Sequence, residues 1–399
     1  MDIFLARQPI FDRDLHIYGY ELLFRAGEAN IFPHIDGDVA TSKLLSSTFF
    51  TIGIEEITGQ RKAFVNFTRE LLLQGAAHMF PPDTFVVEIL ENVCPDDEVL
   101  EACGELRAKG FGIALDDFIC TCQAKNFLAF ATIVKIDFST TSISEIKDII
   151  SRCSLLPCSF LAEKVETHEE FHQAKELGFH YFQGYFFARP EVMKQKDISP
   201  LAQHVLQILI KVFQEDCTIT EIEQIISRDV SMSYKLLKYI NSAHFARITP
   251  LSSIRQGLAF LGINEIRSFV TIIAVSQLCQ DKPNELLRIS VIRARFLEQI
   301  ASETGRDKGE MFMLGLFSLI DAILDNSMAE LIHRLHLNER IEEALVKRAG
   351  ELFIYLEMIE LYETAQWEQL DSQRQATGIG EGRMAVFYLE AISWVDKFS

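Results

Sequence analysis

The first half of the chain repeats one pattern, a short apolar run that ends in or next to a carboxylate, an amide or a lysine. Six of these polar positions, spaced 20 to 28 residues apart, are Asn66, Glu88, Asp116, Asp137, Glu163 and Gln183. That interval is the length of one strand, one helix and two loops, and segments of helical period such as residues 98–109 and 167–177 fill it. Strands that alternate with helices indicate a parallel sheet.

The placement of the polar residues indicates which kind of parallel sheet to expect. A doubly wound sheet concentrates its ligand at one switch point, whereas a barrel gathers polar residues from nearly every strand on one face. The sequence therefore predicts a barrel whose reactive face lies at the carboxyl ends of the strands. About 190 residues is short for eight full units, so we expect some helices to be trimmed. Two apolar runs around residues 12–14 predict a hairpin over residues 3–25.

Asp116 and Asp117 follow a run of apolar or small residues at 110–115. This run lacks the alternation of a half-exposed strand, so it predicts a strand that is buried on both faces. Two adjacent carboxylates repel each other unless a cation lies between them, and a divalent metal is the usual one. Aspartate is also common in the turn after a strand, so this pair alone leaves both interpretations open.

Composition and charge exclude several classes of function. The formal net charge of −19 argues against binding to a nucleic-acid polymer, because neutralising phosphates needs clustered lysine and arginine. The N-terminus lacks the basic-then-apolar plan of a signal peptide. The sequence contains no run of about 18 apolar residues, so it predicts no membrane span. The eight cysteines form no C-x-x-C pair and no zinc-type spacing with histidine. These features predict a cytoplasmic protein with reduced cysteines.

The strand pattern ends after Arg189 and Pro190, and helical periodicity replaces it. Apolar residues form a stripe at helical spacing between Leu201 and Phe213, and residues 313–324 predict one buried helix. We therefore expect two domains, a barrel over residues 1–195 and an all-α domain over residues 196–399.

Seven short motifs of the first half occur in order between residues 21 and 185. They are Glu21-Leu22-Leu23-Phe24-Arg25, Val65-Asn66-Phe67, Glu88-Ile89-Leu90-Glu91, Asp116-Asp117-Phe118, Lys135-Ile136-Asp137, Ala162-Glu163-Lys164-Val165-Glu166-Thr167 and Gln183-Gly184-Tyr185. Together they resemble an EAL domain, the phosphodiesterase family that hydrolyses cyclic di-GMP to linear pGpG. The resemblance implies an α/β TIM-type barrel.

Three motifs of the second half resemble an HDOD domain, and they are Ser227-Arg228-Asp229, Asn241-Ser242-Ala243 and Leu261-Gly262. This helical module is related to HD phosphohydrolases but lacks their metal site, and no His-Asp dipeptide occurs in the chain. The two modules together resemble the EAL–HDOD family over essentially the whole sequence. The implied partners are cyclic di-GMP and, through the HDOD domain, a signalling protein.

The EAL resemblance also implies a metal site that holds two Mg²⁺ or Mn²⁺ ions. Oxygen donors suit these hard ions. The implied metal ligands are Glu21, Asn66, Glu88, Asp116 and Asp117. Read singly, Glu21 would be a satisfied buried carboxylate and Asn66 a residue of a strand-end turn, but five oxygen donors on one barrel face favour a metal site.

The same resemblance assigns roles in catalysis and in substrate binding. Lys135 and Glu163 would orient or deprotonate the attacking water, and Gln183 would complete its surroundings. A structural pair between Lys135 and Glu88 or Asp117 is the alternative. The residues implied around the substrate are Arg25 as a clamp on a phosphate, Lys164 as a second contact to the phosphates, and Glu91 as a brace for the loop after Asp117. A surface ion pair is the alternative for Arg25.

Two departures from the family pattern affect the expected activity. Residues 118–122 read Phe-Ile-Cys-Thr-Cys where the family has a small, Gly-rich loop, and Lys164 replaces a glycine, where it could also crowd the pocket. In the family that loop couples metal binding to substrate and to dimerisation, which leaves a homodimer open here. Leu22 and Leu90 stand where the family has an alanine and a threonine, and these two replacements change the packing only mildly.

Three hypotheses for function follow. The first is an active metal-dependent cyclic di-GMP phosphodiesterase with a helical signalling domain, an activity that in the family favours motility over biofilm growth. The second is a catalytically degenerate cyclic di-GMP receptor that signals through its HDOD domain to a protein partner. The third is a scaffold that binds no nucleotide, in which the carboxylates form structural ion pairs.

Three other features of the sequence are interpreted as structural and not as functional sites. Gly378, Gly380 and Gly382 have no strand before them, which predicts a loop and not a phosphate cradle. Cys120 and Cys122 are interpreted as incidental thiols. His333 and His336 lie three residues apart, which predicts a solvated helix face.

Overall fold

The computed structural model describes residues 3–26, 54–118, 124–153, 156–188, 208, 211–212, 217–228, 233–234, 236, 240, 254–278, 283–335, 337–380 and 382–396. These residues belong to two compact units. One unit comprises Met1–Arg189 with Glu357–Ser399, and the other comprises Pro190–Leu356. No helix within the described ranges is long and apolar enough to cross a membrane.

In the described part of the first unit, eight strands close into a barrel in which each strand pairs with its neighbours in sequence and the last pairs with the first. The first strand runs antiparallel to both neighbours, and all other neighbouring strands are parallel. The predicted barrel and the predicted hairpin are confirmed. The strands are β1 (Ile3–Phe11), β2 (Ile17–Ala26), β3 (Lys62–Phe67), β4 (Phe85–Ile89), β5 (Gly112–Leu115), β6 (Ile133–Asp137), β7 (Ser159–Glu163) and β8 (Tyr181–Gln183).

The helices that connect these strands are short, as the length of the barrel segment predicts. The helices expected over residues 98–109 and 167–177 are present, and each begins at a side-chain cap. Asp96 accepts a hydrogen bond from the Val99 amide, and Thr167 forms a capping box with Glu170. The connecting helices are α1 (Ile54–Thr58), α2 (Arg69–Leu73), α3 (Asp97–Ala108), α4 (Ile143–Cys153) and α5 (His168–Leu177), with 3₁₀ turns at Ala76–Met79, Ala124–Ala129 and Phe186–Ala188.

An apolar layer lies inside the barrel. Six buried residues from six strands pack against one another, and Tyr18 of β2 and Tyr181 of β8 pack onto them. The six are Ile10, Phe64, Val86, Ala114, Ile133 and Leu161. Because side chains alternate along a strand, the residue two positions from each of these points into the same interior.

Every element of regular structure in the described residues of the second unit is a helix, which confirms the predicted all-α region. Its helices are α6 (Ile219–Arg228), α7 (Ile254–Leu278), α8 (Asn284–Thr304), α9 (Lys308–Phe317), α10 (Ile320–Leu324), α11 (Met328–Leu335) and α12 (Glu339–Val346). Helix α7 breaks at Gly262, which has φ 76° and ψ 166°.

The prediction of one continuous helix over residues 313–324 is wrong. Two helices, α9 and α10, meet at Ser318 and Leu319. The Ser318 hydroxyl donates to the Gly315 carbonyl at 2.7 Å and accepts from Arg293 at 3.1 Å. A side chain that bonds the backbone in this way competes with the regular helical hydrogen bonds, which accounts for the break.

The C-terminal segment belongs to the unit of the barrel and not to the helical unit. It begins within α13 (Phe353–Glu363) at Glu357 and contains α14 (Trp367–Thr377) and α15 (Arg383–Asp396). Tyr362 is fully buried and donates a hydrogen bond to the Leu5 carbonyl of β1 at 3.0 Å. The compact units therefore divide the chain differently from the two consecutive domains expected, because aromatic side chains anchor this segment to β1.

The glycines, cysteines and histidines interpreted as structural lie mostly in described residues. Gly378 ends α14 with φ 74°, and Gly380 and Gly382 lie in the connection to α15, so the prediction of a loop is confirmed. His333 is exposed on α11. Cys120, Cys122 and His336 lie outside the described residues.

Candidate active site

A polar layer lies directly beyond the apolar layer, and it takes one residue from each strand or, for β5, from the position that directly follows the strand. In β3 to β8 this residue comes two positions after the apolar one, as from Val86 to Glu88. In β1, which runs the other way, it comes two positions before, from Ile10 to Gln8. In β2 a register irregularity opposite Ile10 and Phe11 makes the step three, from Tyr18 to Glu21. The layer consists of Gln8, Glu21, Asn66, Glu88, Asp116, Lys135, Glu163 and Gln183.

Lys135 lies at the centre of this layer and is fully buried. Its Nζ lies 2.8 Å from Asp116 Oδ1, 2.7 Å from Glu163 Oε1 and 3.5 Å from Glu21 Oε2. It also donates to Glu88 Oε1. The alternative pairing of Lys135 with Glu88 is therefore present, but its partner among the adjacent aspartates is Asp116 and not Asp117.

The single positive charge of Lys135 does not balance the charges of the four carboxylates that surround it. Burial, followed by repulsion from Glu21, raises the pKa of Glu88 well above its usual value. Burial likewise raises the pKa of Glu163 to about 8. Burial alone would lower the pKa of Lys135, but Glu163 and the other carboxylates outweigh it and raise that pKa. The layer is therefore an environment in which an added cation is favourable.

Several oxygen atoms in and beside the layer are buried without a hydrogen-bond partner among the described residues. They are Asn66 Oδ1, Glu88 Oε2, Asp117 Oδ1, Glu163 Oε2 and Gln183 Oε1. An unpartnered buried acceptor costs about 1–3 kcal/mol. Carboxylate and amide oxygens are the ligands that Mg²⁺ and Mn²⁺ prefer. The donor set therefore fits a divalent cation.

Three carboxylates come close enough to share one ion. Glu21, Glu88 and Glu163 each offer an oxygen, and these oxygens lie within 4.8 Å of one another. Glu21 is held from both sides, because Asn66 donates to its Oε1 at 3.3 Å and Gln183 donates to its Oε2 at 2.7 Å. Glu163, which the family resemblance places with the attacking water, thus lies as close to the candidate metal position as Glu21 and Glu88, two of the predicted ligands.

Asp117 and Lys164 lie at the rim, where each has a positive φ, 41° and 53° respectively. Lys164 Nζ lies 2.6 Å from Asp137 Oδ2 and 4.0 Å from Asp117 Oδ2. Burial would raise the pKa of Asp137, but hydrogen bonds from Lys164 and Ser139 outweigh it and lower that pKa to about 2. Lys164 is therefore bound mainly by Asp137.

The remaining predicted residues are only partly placed. Arg25 lies on β2, but its side chain is outside the described part of the structure. Glu91 lines a cavity of about 810 Å³ together with Asp117 and Phe118. Residues 119–123 are not described, so the bracing role of Glu91 stays a prediction.

Gln8 is the residue of the layer that sequence reasoning missed. Its Oε1 accepts a hydrogen bond from Gln183 Nε2 at 3.0 Å. The predicted hairpin could have revealed it. Because a hairpin makes β1 run opposite to the other strands, the polar residue of β1 comes before its apolar residue in the sequence and not after it.

Comparison with known proteins extends this description to the whole chain. Residues 40–190 match the model of the EAL domain, and residues 198–363 match the model of the HDOD domain. The chain is 36% identical over 397 residues to "Cyclic di-GMP phosphodiesterase CdgJ" of Vibrio cholerae, which covers 98% of this chain and 92% of that relative. It is 34% identical over 403 residues to "Uncharacterized protein YuxH" of Bacillus subtilis, with 99% and 98% covered.

Among solved structures, BlrP1 of Klebsiella pneumoniae, determined as a manganese and cyclic di-GMP complex at pH 9.0, is 21% identical with a TM-score of 0.40. That match covers 46% of this chain and 55% of the other, so the chain spans about half of that structure. The full-length likeness to the two relatives, together with the order of the two domain matches, decides the family. This chain belongs to the EAL–HDOD family.

Proposed function

We propose that the barrel hydrolyses one phosphodiester bond of cyclic di-GMP to give linear pGpG in a reaction that depends on divalent metal. The observation that carries this proposal is the polar layer, in which Glu21, Glu88 and Glu163 converge and buried oxygens lack partners. The name of the relative that is similar over the full length supports the substrate and the reaction.

The metal ligands in this proposal are those implied by the resemblance to the EAL domain, namely Glu21, Asn66, Glu88, Asp116 and Asp117. The ions are Mg²⁺ or Mn²⁺, two of them, which when bound lower the pKa of a water and neutralise phosphate oxygens. The unpartnered oxygens of Asn66, Glu88 and Asp117 support this assignment.

The chain's own residues then handle the proton and the phosphates. Glu163 has an oxygen without a partner among the described residues, so as a carboxylate it accepts the proton of the attacking water. Lys135 orients that water and holds the carboxylates together. Gln183 offers Oε1 as an acceptor to the same water. Arg25 clamps a substrate phosphate, and Lys164 assists after release from Asp137.

The second half of the chain acts as the signalling part in this proposal. Residues 1–195 form the EAL domain and residues 196–399 the HDOD domain, although the segment from Glu357 is attached to the barrel unit. A protein partner of the HDOD domain, a homodimer, a link to motility and biofilm growth, and a cytoplasmic location stay predictions.

The test is incubation of purified protein with cyclic di-GMP and Mn²⁺ or Mg²⁺, with the linear product followed by chromatography. We expect product from the wild type and none from Glu21→Ala, because the variant loses a ligand that Asn66 and Gln183 hold in place. Absence of product from the wild type contradicts the proposal. Retained ligand in equilibrium dialysis would then identify a receptor, and neither product nor binding would identify a scaffold.

A further inference from the structure

A chain of hydrogen bonds joins the barrel interior to the C-terminal segment. Glu363 is the last residue of α13, and its carbonyl accepts from Gln8 Nε2 at 3.3 Å. Gln8 Oε1 accepts from Gln183 Nε2 at 3.0 Å, and the same Gln183 nitrogen donates to Glu21 Oε2 at 2.7 Å. Four groups thus connect a helix end to a carboxylate of the candidate metal site.

The two ends of this chain fix the orientation of both amides between them. A backbone carbonyl only accepts, so Gln8 must turn its NH₂ group toward Glu363 and its oxygen toward Gln183. Gln183 then uses its NH₂ group for both Gln8 and Glu21. If either amide were turned over, two oxygens or two amino groups would face each other. In this orientation Gln183 Oε1 is the atom left without a partner among the described residues.

The helix end that supplies the carbonyl is itself held firmly. Carbonyls in the last turn of a helix have no partner within the helix, and Gln8 satisfies one of them. The neighbouring Tyr362 is fully buried, donates to Leu5 of β1, and contacts Trp367 and Tyr388 with ring centroids 5.4 and 4.7 Å away. The helix end is therefore attached to β1 at two positions, Leu5 and Gln8.

We propose that the end of α13 is a positioning element of the active site. The Glu363 carbonyl acts through Gln8 to orient the Gln183 amide, and this amide in turn steadies Glu21. An effect of this element on turnover rests on the proposed function, whereas its effect on the position of Glu21 does not.

The test compares three variants of the full-length protein. Gln8→Met keeps the length of the side chain and removes both its donor and its acceptor. Tyr362→Phe removes only the hydroxyl that ties α13 to Leu5. Gln373→Met is the matched control, because Gln373 donates to Glu357 within the C-terminal segment and not to the barrel strands.

We expect Gln8→Met to weaken Mn²⁺ binding, measured by titration calorimetry, by several-fold, which is less than the roughly 10-fold to 100-fold seen when a direct partner of a metal ligand is lost, because Gln183 lies between Gln8 and Glu21. The turnover number should fall by a similar factor. Tyr362→Phe should shift both quantities in the same direction by a smaller factor, and Gln373→Met should leave both unchanged. In the metal-free protein, hydrogen exchange of the amides in residues 361–366, which exclude the Gln373 partner Glu357, should be faster in Gln8→Met than in the control.

The outcomes separate this inference from the proposed function. A wild type that binds Mn²⁺ without hydrolysis would remove the proposed function, and weaker Mn²⁺ binding by Gln8→Met would still support the positioning role. The inference is overturned if folded Gln8→Met matches Gln373→Met in both Mn²⁺ affinity and hydrogen exchange. If Gln8→Met does not fold, equal Mn²⁺ affinity of Tyr362→Phe and the wild type overturns it.

Discussion

Glu163 shares the Lys135 ammonium group with Glu21, Glu88 and Asp116. Its raised pKa, about 8 in the folded chain against an ordinary value of 4.5, has a consequence for stability. Between these two pH values the unfolded chain loses the proton while the folded chain keeps it, so the free energy of unfolding falls as pH rises. Lys135, whose pKa is raised above 10.5, keeps its proton throughout this range and adds no slope.

We therefore predict that the metal-free protein becomes less stable from about pH 4.5 to about pH 8, and that Glu163→Gln reduces this slope. Urea unfolding in the presence of EDTA, measured at several pH values, tests this. Glu101→Gln, a change at an exposed position of α3, is the control and should keep the wild-type slope. An equal slope in Glu163→Gln and the wild type would contradict the assigned pKa.

Lys164 has a φ of 53°, in the region that favours glycine. Both Lys164→Gly and Lys164→Ala remove the contact with Asp137, so their comparison isolates the backbone. We predict that Lys164→Gly is more stable than Lys164→Ala by about 1 kcal/mol, measured by urea unfolding, since alanine is strained at positive φ. At Lys109, where φ is −86°, the same pair of substitutions should rank in the opposite order.

Most of the polar layer could be predicted from the sequence, because each residue is the polar end of an apolar run and parallel strands bring these ends to one face. The sequence did not reveal which of the adjacent Asp116 and Asp117 meets Lys135. The positive φ of Asp117 turns the backbone between them, and no periodic pattern encodes that turn. Gln8 was missed because its strand is the antiparallel one.

At the scale of elements, the end of β8 lies against the turn after β7. Val165 donates to the Gln183 carbonyl at 3.0 Å, and the next residue, Gly184, has φ 143°. A Cβ at Gly184 would lie 2.0 Å from the Val165 carbonyl oxygen, which is backbone and cannot move aside easily. Glycine at this position therefore lets two strand ends approach and places Gln183 in the polar layer.

We predict that Gly184→Ala displaces the end of β8, lowers stability by more than about 2 kcal/mol and weakens Mn²⁺ binding. Gly178→Ala is the matched control, because Gly178 has φ 101° but no atom within 4 Å of an added Cβ. The control should show the cost of the backbone conformation alone, about 1 kcal/mol, with unchanged Mn²⁺ affinity. Equal losses of stability in the two variants would show that the approach of the strand ends is unimportant.

At the scale of the whole molecule, the compact units do not follow the order of the sequence. Helical periodicity predicts that α13 to α15 are helices but does not reveal which core they cover. The structure shows that the chain from Glu357 packs with the barrel, where α15 lies against β1 and α1. A barrel segment that ends at Arg189 therefore lacks the cover of its first strand.

This arrangement predicts that residues 1–189 alone do not form a stable barrel. Loss of the buried Tyr362, Trp367 and Tyr388 removes aromatic contacts that cost about 3–5 kcal/mol each when truncated in a core, against a total stability of about 5–15 kcal/mol. Residues 1–189 joined to residues 357–399 by a long Gly/Ser linker should instead unfold in one cooperative transition, because the linker keeps the two parts at high effective concentration. Thermal unfolding followed by circular dichroism compares the two proteins. A cooperative transition of residues 1–189 at the same temperature as the joined protein would show that the C-terminal segment is not part of the barrel's stable core.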